Sequence, residues 1–287
     1  MLERVTICEV APRDGLQNEK SFVSTAEKIA LIDRLSACGL RYIEAASFVS
    51  PRAVPQMADG AEVLAGIRRA RGVTYAALAP NLKGYEAARQ AGADEVAVFA
   101  SASESFSRAN INCGVTESLA CFGEVSAAAA RDGIPVRGYV SCIVVCPYEG
   151  AVPTASVERV TEALFAIGCR EVSLGDTIGA ATPEQMDGLL RIMTERFPAE
   201  RLAGHFHDTR GHALACIEVA LAHGLRVFDS SAGGAGGCPF APGAAGNVAT
   251  EAVCALMEQK GFQTGIDRAA LGEASAYLRG LLGGVPP

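Results

Sequence analysis

Histidine is scarce in this chain, with four residues in 287, and tryptophan is absent. An excess of positive charge is also missing: 25 Lys and Arg stand against 32 Asp and Glu, a formal net charge of −7. That balance excludes the basic footprint of proteins that bind nucleic acid or anionic lipid. No nucleic-acid or membrane partner is therefore expected. The longest apolar runs are about ten residues, too short to span a bilayer as a helix. The ten cysteines are scattered, and none form the paired C-x-x-C framework of a structural zinc site; Cys142-x-x-x-Cys146 stands alone. A strand-like run begins as early as Val5, so no secretory leader is expected. A cytoplasmic protein with reduced thiols is expected, most of them serving as small core residues.

Nucleotide-binding signatures are missing too. Gly234-Ala-Gly-Gly-Cys-Pro239 does not complete G-x-G-x-x-G, and no G-K-[ST] phosphate loop occurs. This weighs against a doubly wound dinucleotide-binding sheet, the main competitor among α/β folds.

What the sequence does contain is a repeat. At Gly39, Gly92, Gly133, Gly168 and Gly224 a helix-like segment ends, and an apolar strand begins within a few residues. Glycine closes helices in the left-handed conformation, and near-continuously apolar strands are those covered on both faces. Strands are predicted to start near Val5, Tyr42, Val73, Glu95, Pro135, Glu171, Arg201 and Val227. Helices are predicted over Thr25–Cys38, Asn81–Ala91, Thr116–Arg131, Ser156–Ile167, Pro183–Arg196, Ala213–His223 and Val248–Gln259. Eight alternating βα units predict a (β/α)8 TIM barrel filling 1–287 as a single catalytic domain. An extra C-terminal helix, about Arg268–Leu282, is expected to cap the barrel or pack on a neighbour.

Active sites of such barrels lie at the C-terminal ends of the strands. Two of the four histidines, His205 and His207, stand two apart at the end of the seventh strand, which puts them on one face. A bare H-x-H is commonly two hydrogen-bonded strand residues, but barrel closure changes the reading. The first, seventh and eighth strands become neighbours, so Asp14 after the first strand and Asn247 after the eighth can converge on the histidines. Two imidazoles with carboxylate and amide oxygens suit Mg2+, Mn2+ or Zn2+. Arg13, permanently charged, would stabilise a developing oxyanion at such a mouth. Glu44, inside the apolar run Tyr42-Ile-Glu-Ala-Ala, can point inward only if paired, and Arg13 is its natural partner. Asp176 ends the sixth strand. Residues 231–246 carry six glycines in sixteen positions, a composition that reads as a water-excluding lid, with Cys238 its only reactive group.

Several longer segments resemble a known family. Val10-Ala-Pro-Arg-Asp-Gly-Leu-Gln-Asn-Glu-Lys20, Ile43-Glu-Ala-Ala-Ser-Phe-Val-Ser-Pro51, Pro80-Asn-Leu-Lys-Gly84, Ile111-Asn-Cys113, Arg137-Gly-Tyr-Val-Ser-Cys142, Cys146-Pro-Tyr-Glu-Gly150, Ser173-Leu-Gly-Asp-Thr-Ile-Gly179 and Gly236-Gly-Cys-Pro239 look like 3-hydroxy-3-methylglutaryl-CoA lyase of the bacterial type. The resemblance covers nearly the whole chain. It implies a divalent metal, Mg2+ or Mn2+ with Zn2+ as a further option, held by Asp14, His205, His207 and Asn247. It implies Arg13 as the catalytic arginine supported by Glu44, and Cys238 as the active-site cysteine on the lid. Gln17 and Asp176, with Arg13, would lie at the substrate. The implied partners are an acyl-CoA substrate and further copies of the chain, as a dimer or tetramer. The implied reaction cleaves 3-hydroxy-3-methylglutaryl-CoA to acetyl-CoA and acetoacetate, with Asp14 or a histidine as base and Cys238 or a histidine as proton donor. A lyase for a longer-chain 3-hydroxy-3-alkylglutaryl-CoA, a condensing acyl-CoA synthase on the same barrel, and a non-catalytic binding barrel are the alternatives.

Overall fold

The apolar runs form strands and the glycine-terminated segments form helices, as the repeat requires. The structure, a computed structural model, describes residues 2–19, 21–236 and 246–283. The barrel strands are β1 (Thr6–Glu9), β2 (Tyr42–Ser47), β3 (Thr74–Leu78), β4 (Glu95–Ser101), β5 (Val136–Ser141), β6 (Glu171–Asp176), β7 (Leu202–Phe206) and β8 (Val227–Ser230). They close in chain order, every pair parallel; β8 returns to β1 with Thr6 opposite Val227 and Glu9 opposite Ser230. This is a (β/α)8 barrel. The five repeat glycines all have left-handed φ, from 72° at Gly133 to 105° at Gly168, so each closes its helix by the mechanism expected of it.

Capping explains where the main helices begin. Ser24 and Glu27 form a reciprocal capping box for Thr25–Ala37, as do Thr182 and Gln185 for Pro183–Arg196. The terminal helix, Arg268–Leu281, starts on Asp267, whose side chain accepts the amides of Ala269 and Ala270. It buries Leu271, Ala274 and Leu278. It lies against the Thr25–Ala37 helix, where Arg34 stacks 4.0 Å from the Tyr277 ring. Its last turn reaches Gly233 at the root of the glycine-rich segment.

Four features differ from the sequence reading. Ala11–Gly15 is a π-helical turn, and short helices form at Gly60–Gly66 and Glu104–Ile111. A two-stranded hairpin pairs Val145–Cys146 with Gly150–Ala151. The helix predicted from Val248 begins at Thr250. The reason is local: the chain from Gly246 to Thr250 is stitched to the ends of β7 and β8. Asp208 N bonds Gly246 O at 2.6 Å, Ser231 N bonds Val248 O at 3.0 Å, and Asn247 bridges His207. Asn247 thus extends the sheet, and the helix starts only at Thr250.

The large aliphatic core lies between strands and helices, with Leu31, Ile43, Val98, Val140, Leu174, Met193 and Phe228 among its buried members. The barrel interior is different. Arg137 on β5 bonds Asp229 on β8, strands that are not neighbours, so the pair crosses the barrel. Glu44, Glu95, Tyr139, Glu171 and Ser173 are also buried in the strands. Bulky branched side chains usually fill such barrels; here a charged network takes much of that space.

Candidate active site

The site starts from the π-turn after β1. Gly15 N donates to Val10 O at 3.1 Å, the i→i−5 bond of a π-turn; such turns recur at functional sites. The turn sets Arg13 and Asp14 side by side over the barrel mouth. Arg13 Nε lies 2.7 Å from Glu44 Oε2, and Arg13 Nη1 lies 2.5 Å from Asp14 Oδ1. Gln17 Nε2 donates to the same Asp14 oxygen at 3.2 Å. The Arg13–Glu44 pair expected from the buried glutamate is thus present. In β2 the register slips between Glu44 and Ala46, a bulge at the position that turns the carboxylate toward the site.

The second oxygen of Asp14 faces the other side of the mouth. Asn247 Nδ2 donates to Asp14 Oδ2 at 2.7 Å and to Ala235 O at 3.3 Å. His205 Nε2 and His207 Nε2 each lie 4.0 Å from Asp14 Oδ2. These gaps are too long for hydrogen bonds. One ligand atom from each of Asp14, His205 and His207 falls within 4.8 Å of the others. Gly236, with φ of 100°, lies tight over this corner; a Cβ there would stand 2.9 Å from Asn247 Nδ2 and 3.0 Å from Gly15 Cα.

Electrostatics separate the groups. Burial works to raise the Asp14 pKa, but Arg13, both histidines and the Asn247 bond outweigh it and hold the carboxyl well below its usual range. Burial, followed by the neighbouring His205, pushes His207 down to about 4, so its imidazole is neutral at physiological pH. His207 Nδ1 is buried with no hydrogen-bond partner among the described residues. For His205, burial is outweighed by the Asp229 bond at Nδ1, 3.1 Å long, and its pKa is raised. Glu44 is raised by burial despite Arg13.

The donor set fits a divalent cation. It supplies two imidazole nitrogens and a carboxylate oxygen, with an amide beside them, and both imidazoles turn Nε2 toward the same Asp14 oxygen. His205 also carries the support expected of a ligating histidine, a carboxylate behind the distal ring nitrogen.

Asp176 is set apart from this cluster by its bonds. Its two carboxylate oxygens accept the amides of Ala180 and Ala181 at 3.2 and 2.9 Å. Burial, partly offset by those amides, raises its pKa. The loop it ties down runs under His207: a Cβ on Gly179 would lie 2.6 Å from His207 O. Asp176 thus supports the backbone beneath a histidine of the site. Cys238 and most of the glycine-rich segment lie outside the described residues.

Sequence reasoning missed Asp229, Arg137, Tyr139 and Glu171. The signal was available. Each is a polar interruption in an apolar strand, and the argument that an inward Glu44 must be paired applies equally to Asp229 between Phe228 and Ser230.

The chain matches the HMGL-like family over residues 4–278. It is 54% identical over 281 residues to the 3-hydroxy-3-isohexenylglutaryl-CoA/hydroxy-methylglutaryl-CoA lyase of Pseudomonas aeruginosa, covering 98% of this chain and 94% of the relative. It is 50% identical over 282 residues to the hydroxymethylglutaryl-CoA lyase of Pseudomonas mevalonii, again covering 98% and 94%. Among solved structures, the HMG-CoA lyase of Brucella melitensis superposes with a TM-score of 0.97 at 58% identity, covering 98% of this chain and 99% of that one. Identity at this level over almost the full length of both partners, together with a closed barrel that carries its polar cluster at the strand ends, leaves one assignment: the chain belongs to the HMGL-like family.

Proposed function

We propose that the protein cleaves 3-hydroxy-3-methylglutaryl-CoA to acetyl-CoA and acetoacetate with the help of a divalent cation. One observation carries the reading. The Asp14–His205–His207 donor set sits at the barrel mouth with an ion-paired arginine, Arg13, directly against Asp14. That combination suits a reaction in which a hydroxyl must lose its proton while negative charge grows on a carbonyl oxygen nearby.

The bond changes balance without a redox partner. The tertiary hydroxyl gives up its proton, its oxygen becomes the ketone of acetoacetate, and the broken carbon–carbon pair passes to the thioester fragment as an enolate. Protonation of the enolate carbon yields acetyl-CoA. Asp14, His205 and His207, with the Asn247 amide, would hold Mg2+ or Mn2+. A bound cation supplies Lewis-acid polarisation of the substrate oxygens. Arg13 is held by Glu44 before substrate arrives, so it meets the developing enolate oxygen with little reorganisation. Gln17 and Asn247 fix Asp14 from two sides. Proton transfer falls to the titratable groups of the mouth, Asp14 and the two imidazoles, or to Cys238 of the glycine-rich segment, the lid expected from the sequence over residues 231–246. Asp176 acts through the loop under His207 or at the substrate.

A longer-chain 3-hydroxy-3-alkylglutaryl-CoA is the second reading, supported by the Pseudomonas aeruginosa relative, whose name covers an isohexenyl and a methyl substrate. No helix among the described residues is long and apolar enough to cross a membrane; a cytoplasmic homo-oligomer built from one catalytic domain completes the reading. The test is acetyl-CoA release by purified protein with Mg2+ or Mn2+, offered the methyl and isohexenyl substrates in parallel. Turnover of the methyl substrate that stops with EDTA and returns with metal is the expected result. Preference for the isohexenyl substrate would select the second reading, and full turnover in a verified metal-free sample would end the metal-dependent one.

A further inference from the structure

Arg137 is the largest fully buried side chain in the barrel, and its guanidinium makes bonds in three directions. Nη2 lies 2.8 Å from Asp229 Oδ1, and Nη1 lies 3.1 Å from Asp229 Oδ2. Nε lies 2.7 Å from Glu171 Oε1 on the neighbouring strand. Nη1 also donates to the Tyr139 hydroxyl at 2.8 Å. An arginine so deep is costly unless every donor is answered, and a barrel core has no need of it for packing.

Two branches leave this guanidinium, and each ends at one half of the site. On the first, Asp229 Oδ2 meets His205 Nδ1 at 3.1 Å and also accepts the Ser173 hydroxyl at 2.9 Å. A carboxylate paired with Arg137 is an acceptor only, so Nδ1 must carry the imidazole proton, and the lone pair of His205 is left on Nε2, the atom that faces Asp14. On the second, the Tyr139 hydroxyl, which accepts from Arg137, donates to Glu44 Oε2 at 3.4 Å. That is the oxygen that holds Arg13. The Tyr139 ring meets His205 edge-on at 5.9 Å, and the Arg13 guanidinium lies 5.8 Å from its centre.

We propose that Arg137 is a positioning residue that sets both halves of the site, fixing the metal-facing tautomer of His205 through Asp229 and the aim of Arg13 through Tyr139 and Glu44. The inference rests on the metal-dependent reading above. It gives the two histidines different characters: His205 is held from behind by an ion pair, whereas His207 has no partner at Nδ1 among the described residues. The usual effect of removing such an outer partner is a loss of metal affinity of about 10–100-fold.

The branches make the test selective. Mn2+ binding is measured on the purified protein by titration with EPR detection of free Mn2+, alongside kcat and KM. Asp229→Asn should weaken Mn2+ binding by about 10–100-fold. Tyr139→Phe should leave Mn2+ affinity as in wild type and lower kcat with KM little changed, because only the Arg13 branch is cut. Arg137→Met should show both defects. If Arg137→Met fails to fold, the two near-isosteric variants decide alone. Wild-type Mn2+ affinity in Asp229→Asn, or equal loss of Mn2+ affinity in Tyr139→Phe, would overturn the two-branch assignment. A wild-type protein that binds no Mn2+ would overturn the metal reading itself, a distinguishable result.

Discussion

Arg13 and Asp14 are chain neighbours whose side chains meet at 2.5 Å, although successive side chains on a regular strand would diverge. The π-turn makes the contact possible, and Glu44 completes it from below by taking Arg13 Nε. Removing Arg13 therefore does two things. It takes away the charge proposed to meet the enolate, and it leaves the fully buried Glu44 carboxylate without its ion pair. Arg13→Met should lower kcat by roughly 10²–10³ with little change in KM, and should destabilise the fold by about 3–5 kcal/mol. Adding Glu44→Gln should return much of the stability and none of the turnover. Thermal melts and steady-state kinetics on both variants separate the effects; recovery of activity in the double variant would show that Arg13 serves only to neutralise Glu44.

His207 should matter for metal and hardly for folding. It stands just beyond β7, and its Nδ1 has no bond to lose among the described residues. A cation that binds the native state alone stabilises it by about 2.7 kcal/mol at a hundredfold excess over Kd. Wild-type protein should show that upward shift of Tm with Mn2+, and His207→Ala should melt near the metal-free wild type whether or not Mn2+ is present. A full Mn2+ shift in His207→Ala would remove the histidine from the donor set.

The fold was legible because glycine punctuation and apolar runs encode barrel units locally. The convergence of Asp14, His205, His207 and Asn247 was legible because closure of a barrel makes its first and last strands neighbours. What escaped was set by pairing across the barrel. Arg137 and Asp229 are 92 residues apart, and nothing near either names the other. The helix is predicted from Val248 because Val248–Gln259 is helix-like throughout; backbone bonds to Phe206 and Ser231 hold its first residues in extended form. Asp176 was legible as a strand-end carboxylate, but the return of its own loop, which brings the amides of Ala180 and Ala181 onto it, has no local signal.

Thiol chemistry can be narrowed. Seven of the nine described cysteines are buried; Cys113 and Cys121 are partly open. Burial raises the pKa of both open thiols, so little thiolate is present to react at neutral pH. An alkylating reagent at pH 7 should therefore inactivate the enzyme through Cys238, with Cys113 and Cys121 labelled later and without effect on turnover. Peptide mapping at half-inactivation is the check; loss of activity that tracks label at Cys113 would move the sensitive thiol to the Ile111–Cys113 segment.

Glu9 gives the fold a pH dependence of its own. Its carboxylate is fully buried at the end of β1, where Oε1 accepts the amides of Ala11 and Ala232, each at 2.9 Å, and Oε2 accepts the Thr250 hydroxyl at 2.8 Å. It ties the π-turn to the root of the glycine-rich segment. Burial, only partly offset by these three bonds, raises its pKa from 4.5 to about 7. The sign follows from linkage. Between those two values the native state keeps a proton that the unfolded chain has released, so this group's contribution is complete below pH 4.5 and is lost as pH rises through 7. Above that point the fold carries a buried charge. Glutamine removes the charge yet can still accept from both amides, and its NH2 can donate to the Thr250 hydroxyl, which is free to turn toward Ser230. Glu9→Gln should therefore match wild type near pH 5 and become the more stable of the two above pH 7.5, by on the order of 2–3 kcal/mol. Urea denaturation of both proteins from pH 5 to 9 measures the gap directly. A gap that stays constant across the range would mean that Glu9 is ionised throughout, and a less stable Glu9→Gln at pH 8 would mean that its charge strengthens the clamp more than burial weakens it.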